Sequence, residues 1–414
     1  MIRFYVMTGF LEAVSVSFGG MEDVEEGSSG ELKEEQGNEQ VKNLLDPLCD
    51  LACQPLAEED RSCSNWMRDL GEEGLGELSL FQTLIPGSHD SATSEIRRGN
   101  DYASDGPKFL QTAGRFMRGG PLKRLVCRWA IAQERTVAQQ LLDGIRYLDL
   151  RVVLVKPHTN APTGDLFTCH GVLSDKLDDV LGAVGHFLTE HPREIVILDF
   201  NHFYGMNEAS FDGLAQQLKD IFGDRLANKE VSIHNTIGHL WEMGISVFIF
   251  FDKEDVVRKY QFLRSQSQLK SAWMDAPDIH ILKDRLDGHL NLRRECMAGN
   301  RSDKRDYNQI LHVTQGIVTP DPRMIARSAF GSYSLLELGR QVSPLFLKWV
   351  REDWRHHHLN IIIIDHYHFT HFVPLLIQMN QERLRALGSS FSLSNQPNVQ
   401  NDPFKEDISD EKSD

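Results

Sequence analysis

Side chains that can move protons or hold a phosphate follow several short apolar segments of this sequence. They are His89 and Asp90, Asp149 and Arg151, His170, Asn201 and His202, Asp252 and Lys253, and Asp365. In Asp149-Leu-Arg151 the two charged residues are two positions apart, so on a strand both would lie on the same face.

Two imidazoles, a guanidinium and several carboxylates are the groups that cleavage of a phosphodiester requires. One imidazole removes the proton of an attacking hydroxyl, and the other protonates the leaving oxygen. A carboxylate beside each imidazole fixes its tautomer, and a planar guanidinium binds the charged phosphoryl oxygens. Taken singly, a His at a strand end is usually structural and an Asp-x-Arg is usually a local ion pair. Their combination favours a catalytic site.

The segments that precede these residues have the character of buried strands. Apolar runs at 145–150, 195–198, 247–251 and 361–364 are typical of parallel strands buried on both faces. Between them, helical spacing predicts helices at about 134–143, 207–222, 343–357 and 370–386, and another from an N-cap at Ser174 to His191. This alternation predicts an α/β fold, either a barrel or a doubly wound sheet. In a parallel barrel, all these strand ends meet at the rim where active sites are built.

Composition and charge restrict the class of protein. The net charge of −16 over 414 residues comes mostly from 21–40 and 401–414, and this acidic balance argues against nucleic acid as the partner. Residues 1–40 and 389–414 are predicted to be disordered tails around one domain at 41–388. Six cysteines without a CxxC pair favour a cytoplasmic, reducing location. Residues 1–20 only faintly resemble a secretory leader, no run is long enough to span a membrane, and a monomer is expected.

Several stretches resemble the X domain of phosphatidylinositol-specific phospholipase C, and the chain is most similar to the small eukaryotic proteins that consist mainly of that domain. The similar stretches are Leu84–Ser91, Trp129 and Gln133, Val137–Arg151, Cys169–Gly171, Phe187–Phe200 and Asn360–Asp365. They occur in the family's order and extend over about 64–386.

This resemblance implies a distorted TIM barrel and an enzyme that cleaves an inositol phospholipid into diacylglycerol and a cyclic inositol phosphate. It implies that His89 is the general base, His170 the general acid, Asp365 the support of His89, Asp90 the support of His170, Arg151 the phosphate ligand and Asp149 the residue that orients the cluster.

The resemblance also bears on metal use. The calcium-dependent relatives carry an acidic residue where this chain has Arg151, and a Glu where it has Asn201. Calcium requires six to eight oxygen ligands, so this site is expected to need no metal or other cofactor. The bacterial enzymes bind inositol through a Lys and an Arg at positions that correspond roughly to Asn201-His202 and Asp252-Lys253. We therefore expect Asn201 and Lys253 to contact an altered headgroup.

Segment 106–133 is a further candidate, for contact with an anionic membrane surface. It contains six basic residues and no acidic residue, interleaved with large apolar residues. A solvated helix or loop that covers the barrel would explain the same pattern.

Two other interpretations of the whole chain remain open. One is a lipid- or partner-binding module that keeps the barrel without useful turnover, and the other is a metal-dependent glycerophosphodiester phosphodiesterase. The acidic metal-ligand pattern of the latter is missing from the sequence. The histidines at 356–358, 366, 368 and 371 could bind zinc, but no HExxH motif accompanies them, and a polar rim is the preferred interpretation.

Overall fold

A computed structural model of the chain describes residues 63–105, 120–156, 164–301, 306–331 and 333–394. The N-terminal tail, the faint leader and residues 395–414 of the C-terminal tail lie outside the described residues. The last helix ends at Ser394, beyond the predicted domain boundary at 388.

Eight parallel strands form the centre of the molecule, in the order β7-β6-β5-β2-β1-β10-β9-β8. The ten strands are β1 (Ile85–Ser88), β2 (Tyr147–Val155), β3 (Asp165–Cys169), β4 (Leu173–Lys176), β5 (Val196–Tyr204), β6 (Val247–Phe251), β7 (Leu263–Ser265), β8 (Leu269–Ser271), β9 (Leu311–Gln315) and β10 (Ile361–Ile364). Among the described residues no ladder joins β7 to β8, which are linked by the short turn Gln266–Gln268. The predicted distorted TIM barrel is confirmed, and it is open at this point.

Helices surround the sheet and precede or follow its strands. They are α1 (Trp66–Gly71), α2 (Pro121–Ala130), α3 (Val137–Leu142), α4 (Leu177–Glu190), α5 (Glu208–Phe222), α6 (Ile237–Glu242), α7 (Glu254–Lys259), α8 (Ile279–Met297), α9 (Pro322–Arg327), α10 (Leu335–Lys348) and α11 (Phe372–Ser394). No helix in the described ranges is both long enough and apolar enough to cross a membrane.

Alternation along the strands separates an inner from an outer core. Ile361 and Ile363 pack in the inner cluster with Phe248 and Phe250, whereas Ile362 and Ile364 pack in the outer cluster beneath the helices. Successive strand residues point to opposite faces, so a run of four isoleucines fills both cores. The same alternation decides which polar residues can face the barrel interior.

The strand that precedes His170 does not pair as the barrel strands do. β3 runs antiparallel both to the far end of β2 and to β4. β2 continues to Val155, beyond the barrel, and this extension provides the edge on which the hairpin forms. His170 therefore stands in the turn between β3 and β4, which lies beside the rim, and not at the end of a barrel strand.

Other element boundaries also differ from the prediction. Ser174 lies in β4 and is not an N-cap, since α4 begins after Lys176. The helix expected at 343–357 is α10, which Ser334 caps and which contains Pro344 in its interior. The periodicity did not indicate α8, whose many charged residues weaken the apolar pattern; its side-chain cap is Asp278.

Candidate active site

The inward-facing positions at the carboxyl ends of four strands carry the candidate residues. His89 follows β1, and because alternate residues share a face, it continues the inward face that carries Ile85. Asp365 follows β10 and continues the inward face that carries Ile361 and Ile363. On β2 the same face bears Tyr147, Asp149 and Arg151, listed in order toward the rim. Parallel pairing of β10, β1, β2 and β5 sets these residues next to each other.

His89 is held by a buried carboxylate. Its Nδ1 lies 2.8 Å from Oδ1 of Asp365, and both side chains are less than a tenth exposed. With the proton on Nδ1 donated to Asp365, the neutral ring presents an unprotonated Nε2 to the centre of the site. This is the tautomer that a general base requires.

Asp90 lies between the two imidazoles and the guanidinium. Its Oδ2 is 3.3 Å from Nε2 of His89 and 3.5 Å from Nε2 of His170, and its Oδ1 is 2.6 Å from Nε of Arg151. The backbone of Asp90 has φ of +41°, a left-handed conformation that Asp tolerates better than most residues. This turn directs Asp90 and His89 into one cluster.

His170 reaches the cluster from the hairpin formed by β3 and β4. Its ring centroid is 6.4 Å from that of His89, at an angle of 72°. The Nδ1 of His170 donates to the carbonyl of Ala130 at 2.8 Å, which leaves Nε2 directed toward Asp90. The two Nε2 atoms thus face a common space from different sides.

Asp149 hydrogen-bonds to residues on two sides of this space. Its Oδ2 accepts from the backbone N–H of Asp90 at 3.1 Å, and its Oδ1 accepts from the amide of Asn201. Asn201 therefore lies beside the cluster and belongs to β5 itself, which is longer than the sequence indicated; its contact with the headgroup stays a prediction. The hydrogen-bond partner of the Asn201 amide in the structure is the carboxylate of Asp149.

The carboxylates of the cluster raise the pKa of both His89 and Arg151. Burial lowers the pKa of His89, but Asp90, Asp365 and Asp149 outweigh it, and the net pKa is raised above 6.5. Burial likewise opposes the charge of Arg151, while Asp90 and Asp149 raise its pKa above the ordinary value. Arg151 is a permanent cation, with Nη2 3.4 Å from Nε2 of His89.

A divalent cation fits this arrangement poorly. His89, Asp90 and Asp149 have ligand atoms within 4.8 Å of one another, the only such group found among the described residues. However, Arg151 already contacts both His89 and Asp90, and its charge would repel a metal bound there. One imidazole and two carboxylates also fall short of the oxygen-rich set that calcium prefers.

Lys253 makes no described hydrogen bond or ion pair to the cluster, and its predicted contact with the headgroup stays a prediction. Along β6, Phe248 and Phe250 face the inner core while Phe251 faces the outer core, so the alternation carries Lys253 to the helix side. Its Nζ lies 3.6 Å from Asp255 and 5.9 Å from the ring centre of Phe211, a residue of α5.

The predicted membrane-contact segment divides into two parts. Residues 106–119, which include Lys108, Arg115 and Arg118, lie outside the described residues. The remaining part forms α2 and packs on the protein. Lys123 is buried against the ring of Tyr102, and Arg128 donates to the carbonyls of Ser328 and Gly331.

Sequence reasoning assigned no role to two residues at the site. Asp199 lies two positions before Asn201 on β5, is fully buried, and accepts from Tyr147 and Gln266. Burial, with the charge of Asp149, raises its pKa to about 7. The alternation in β5 could have indicated Asp199. Trp273, whose ring stacks on His89 at 5.7 Å and 28°, follows the three-residue β8, which gives no usable pattern.

The chain is similar in sequence to proteins of a known family. Residues 127–242 match the family described as phosphatidylinositol-specific phospholipase C, X domain. The mouse PI-PLC X domain-containing protein 2 is 30% identical over 318 residues, which cover 77% of this chain and 87% of that protein. This chain belongs to the PI-PLC X domain family.

Two further proteins are similar to this chain in sequence, and one solved structure is similar to it in fold. Human PI-PLC X domain-containing protein 3 is 29% identical over 77% of this chain and 93% of its own length. The variant-surface-glycoprotein phospholipase C of Trypanosoma brucei brucei is 29% identical over 70% of this chain and 80% of its own. Among solved structures, the phosphatidylinositol-specific phospholipase C from Listeria monocytogenes has a TM-score of 0.49 at 18% identity, covering 76% of this chain and 98% of that one.

Proposed function

We propose that this PI-PLC X domain protein is a metal-independent phosphodiesterase that cleaves the glycerol–phosphate bond of an inositol phospholipid. The observation that carries the proposal is the placement of two imidazole Nε2 atoms within 3.5 Å of one carboxylate oxygen of Asp90, beside the Arg151 guanidinium. A phosphoryl group in this space would have a base on one side, an acid on the other and a fixed cation next to it.

The proposed reaction uses the neutral form of His89 and the protonated form of His170. Nε2 of His89 takes the proton of the inositol 2-hydroxyl as its oxygen bonds to phosphorus. The phosphorus–oxygen bond to glycerol breaks, and that oxygen takes the proton from Nε2 of His170. The products are diacylglycerol and a cyclic inositol phosphate, while Arg151 stabilises charge on the non-bridging oxygens.

The assignment of the substrate draws on the relatives, whose names specify phosphatidylinositol or a phospholipase C. Peripheral contact with an anionic membrane is part of the same proposal, because such a substrate lies in a bilayer.

Activity toward labelled phosphatidylinositol in vesicles, assayed with and without EDTA, tests the proposal. We expect release of water-soluble inositol phosphate at the same rate in both conditions, because Arg151 supplies the positive charge. Loss of turnover with EDTA and its recovery with calcium would contradict the metal-independent mechanism. Vesicle binding without turnover would instead favour the lipid-binding module.

The pH dependence offers a second test, through Asp365→Asn. His89 can act as a base only after its ring has lost its proton. Because the pKa of His89 is raised, kcat/KM is expected to fall as the pH drops through that raised pKa. Removing the Asp365 charge lowers the pKa of His89, and we expect the acidic limb of the profile to move to lower pH. Asp212→Asn, at a carboxylate paired with Lys259 in the helix layer, should leave the limb in place. An unmoved limb in Asp365→Asn would refute the pairing.

A further inference from the structure

Four consecutive residues at the end of α2 and directly after it, Ala130–Gln133, hydrogen-bond to His170, to the backbone of His89 and to the chain on either side of Asp365. The carbonyl of Ala130 accepts from Nδ1 of His170 at 2.8 Å. The carbonyl of Ala132 accepts from the N–H of His366, the residue after Asp365, at 2.8 Å. The described contacts thus join the proposed acid and the support of the proposed base to one short stretch of chain.

Gln133 makes the central contact of this segment. Its side chain is fully buried, and its Nε2 donates to the carbonyl of His89 at 3.0 Å and to the carbonyl of Ile364 at 2.9 Å. His89 and Ile364 end or follow the neighbouring strands β1 and β10. One amide group therefore bridges the strand that carries the base to the strand that carries its carboxylate.

A hydroxyl group attaches the same segment to the turn at Asp90. Oγ1 of Thr93 accepts from the N–H groups of Ala132 and Gln133, at 3.1 and 3.0 Å, and donates to the carbonyl of Asp90 at 2.9 Å. The hydroxyl uses its one donor and both acceptor positions in this way.

The need for such a bridge follows from where the sheet ends. The last residue pair of the β1–β10 ladder is Ser88 with Ile364, and the next contact, from the N–H of His89 to the carbonyl of Ile364, is 3.3 Å long. This is longer than the usual backbone hydrogen bond. The two Gln133 bonds lie at the point where the ladder weakens, one residue away from Asp365.

We propose that Gln133 is a positioning residue that holds His89 and Asp365 at bonding distance, while Ala130 of the same segment holds His170. The inference rests on the proposed function for its catalytic consequence. The pairing of His89 with Asp365 is a property of the folded protein and can be measured without substrate.

Gln133→Met tests this, because methionine keeps the size and removes the amide donors. We expect kcat to fall on the order of 10- to 100-fold with KM nearly unchanged, since small misplacements of catalytic groups have costs of this size. The pKa of His89 should also fall as its contact with Asp365 loosens, measured by NMR of selectively labelled histidine with His89→Ala to assign the signal.

Asn380→Leu is the matched control. Asn380 is also a fully buried amide, but it bonds to the N–H and carbonyl of Leu84, the residue before β1, at the end of that strand away from the cluster. We expect it to lower the melting temperature without changing the pKa of His89. A folded Gln133→Met protein with an unchanged His89 pKa would overturn the inference. If the wild type has no turnover, the proposed function fails, and the His89 pKa still decides the role of Gln133.

Discussion

Replacing His89 or His170 by Ala is expected to lower phosphodiesterase turnover by at least about 10²-fold, the usual contribution of a general acid or base. Nε2 of each ring faces Asp90, and each Nδ1 is occupied by a partner, Asp365 or the carbonyl of Ala130. Each ring therefore has one nitrogen to exchange a proton with substrate. Turnover is measured on phosphatidylinositol vesicles.

The two roles can be separated by the leaving group. A substrate whose leaving group is a nitrophenolate needs little protonation as the phosphorus–oxygen bond breaks. We expect His170→Ala to recover most of its rate on such an inositol nitrophenyl phosphate. His89→Ala should stay slow on the same substrate, because deprotonation of the attacking hydroxyl is still required.

His312→Gln is the control for loss of a buried imidazole. His312 lies on β9, away from the cluster. It is fully buried, and its Nε2 donates to the carbonyl of Tyr307. It should change stability and leave both substrates' rates near wild type. Wild-type turnover by either His89→Ala or His170→Ala would refute the acid-base assignment.

The sequence predicted several strands of the barrel, for a clear physical reason. β6 and β10 were located at their observed ends because continuous apolar runs are what a strand buried on both faces requires. Alternation then placed Asp149 and Arg151 together, and would also have indicated Asp199. The resemblance to the family added the roles, which the residues alone did not assign.

The parts that escaped prediction depend on contacts distant in sequence. His170 is brought in by an antiparallel hairpin on the extension of β2, and its Nδ1 partner is a backbone carbonyl, which carries no side-chain signal. Trp273 follows a three-residue strand that pairs only with β9 among the described residues.

Removing the guanidinium, by Arg151→Ala, is expected to reduce kcat by about 10² to 10³, the range for loss of one group that stabilises transition-state charge. Arg151 also neutralises Asp90, with Nε 2.6 Å from Oδ1. Without it, three carboxylates surround His89 with no cation among them, and the pKa of His89 rises further. The residual activity should therefore require a higher pH than that of the wild type.

Chemical rescue distinguishes a missing guanidinium from a damaged barrel. Added guanidinium should restore part of the rate of Arg151→Ala, because the ion can occupy the space beside Asp90 and the phosphoryl oxygens. Arg264→Ala is the matched control. Arg264 is also a buried arginine, but it donates to the carbonyls of Asn228 and Val231, so its loss should lower stability without responding to guanidinium. If calcium, and not guanidinium, restored Arg151→Ala, then His89, Asp90 and Asp149 would be metal ligands and the proposed role of Arg151 would be wrong.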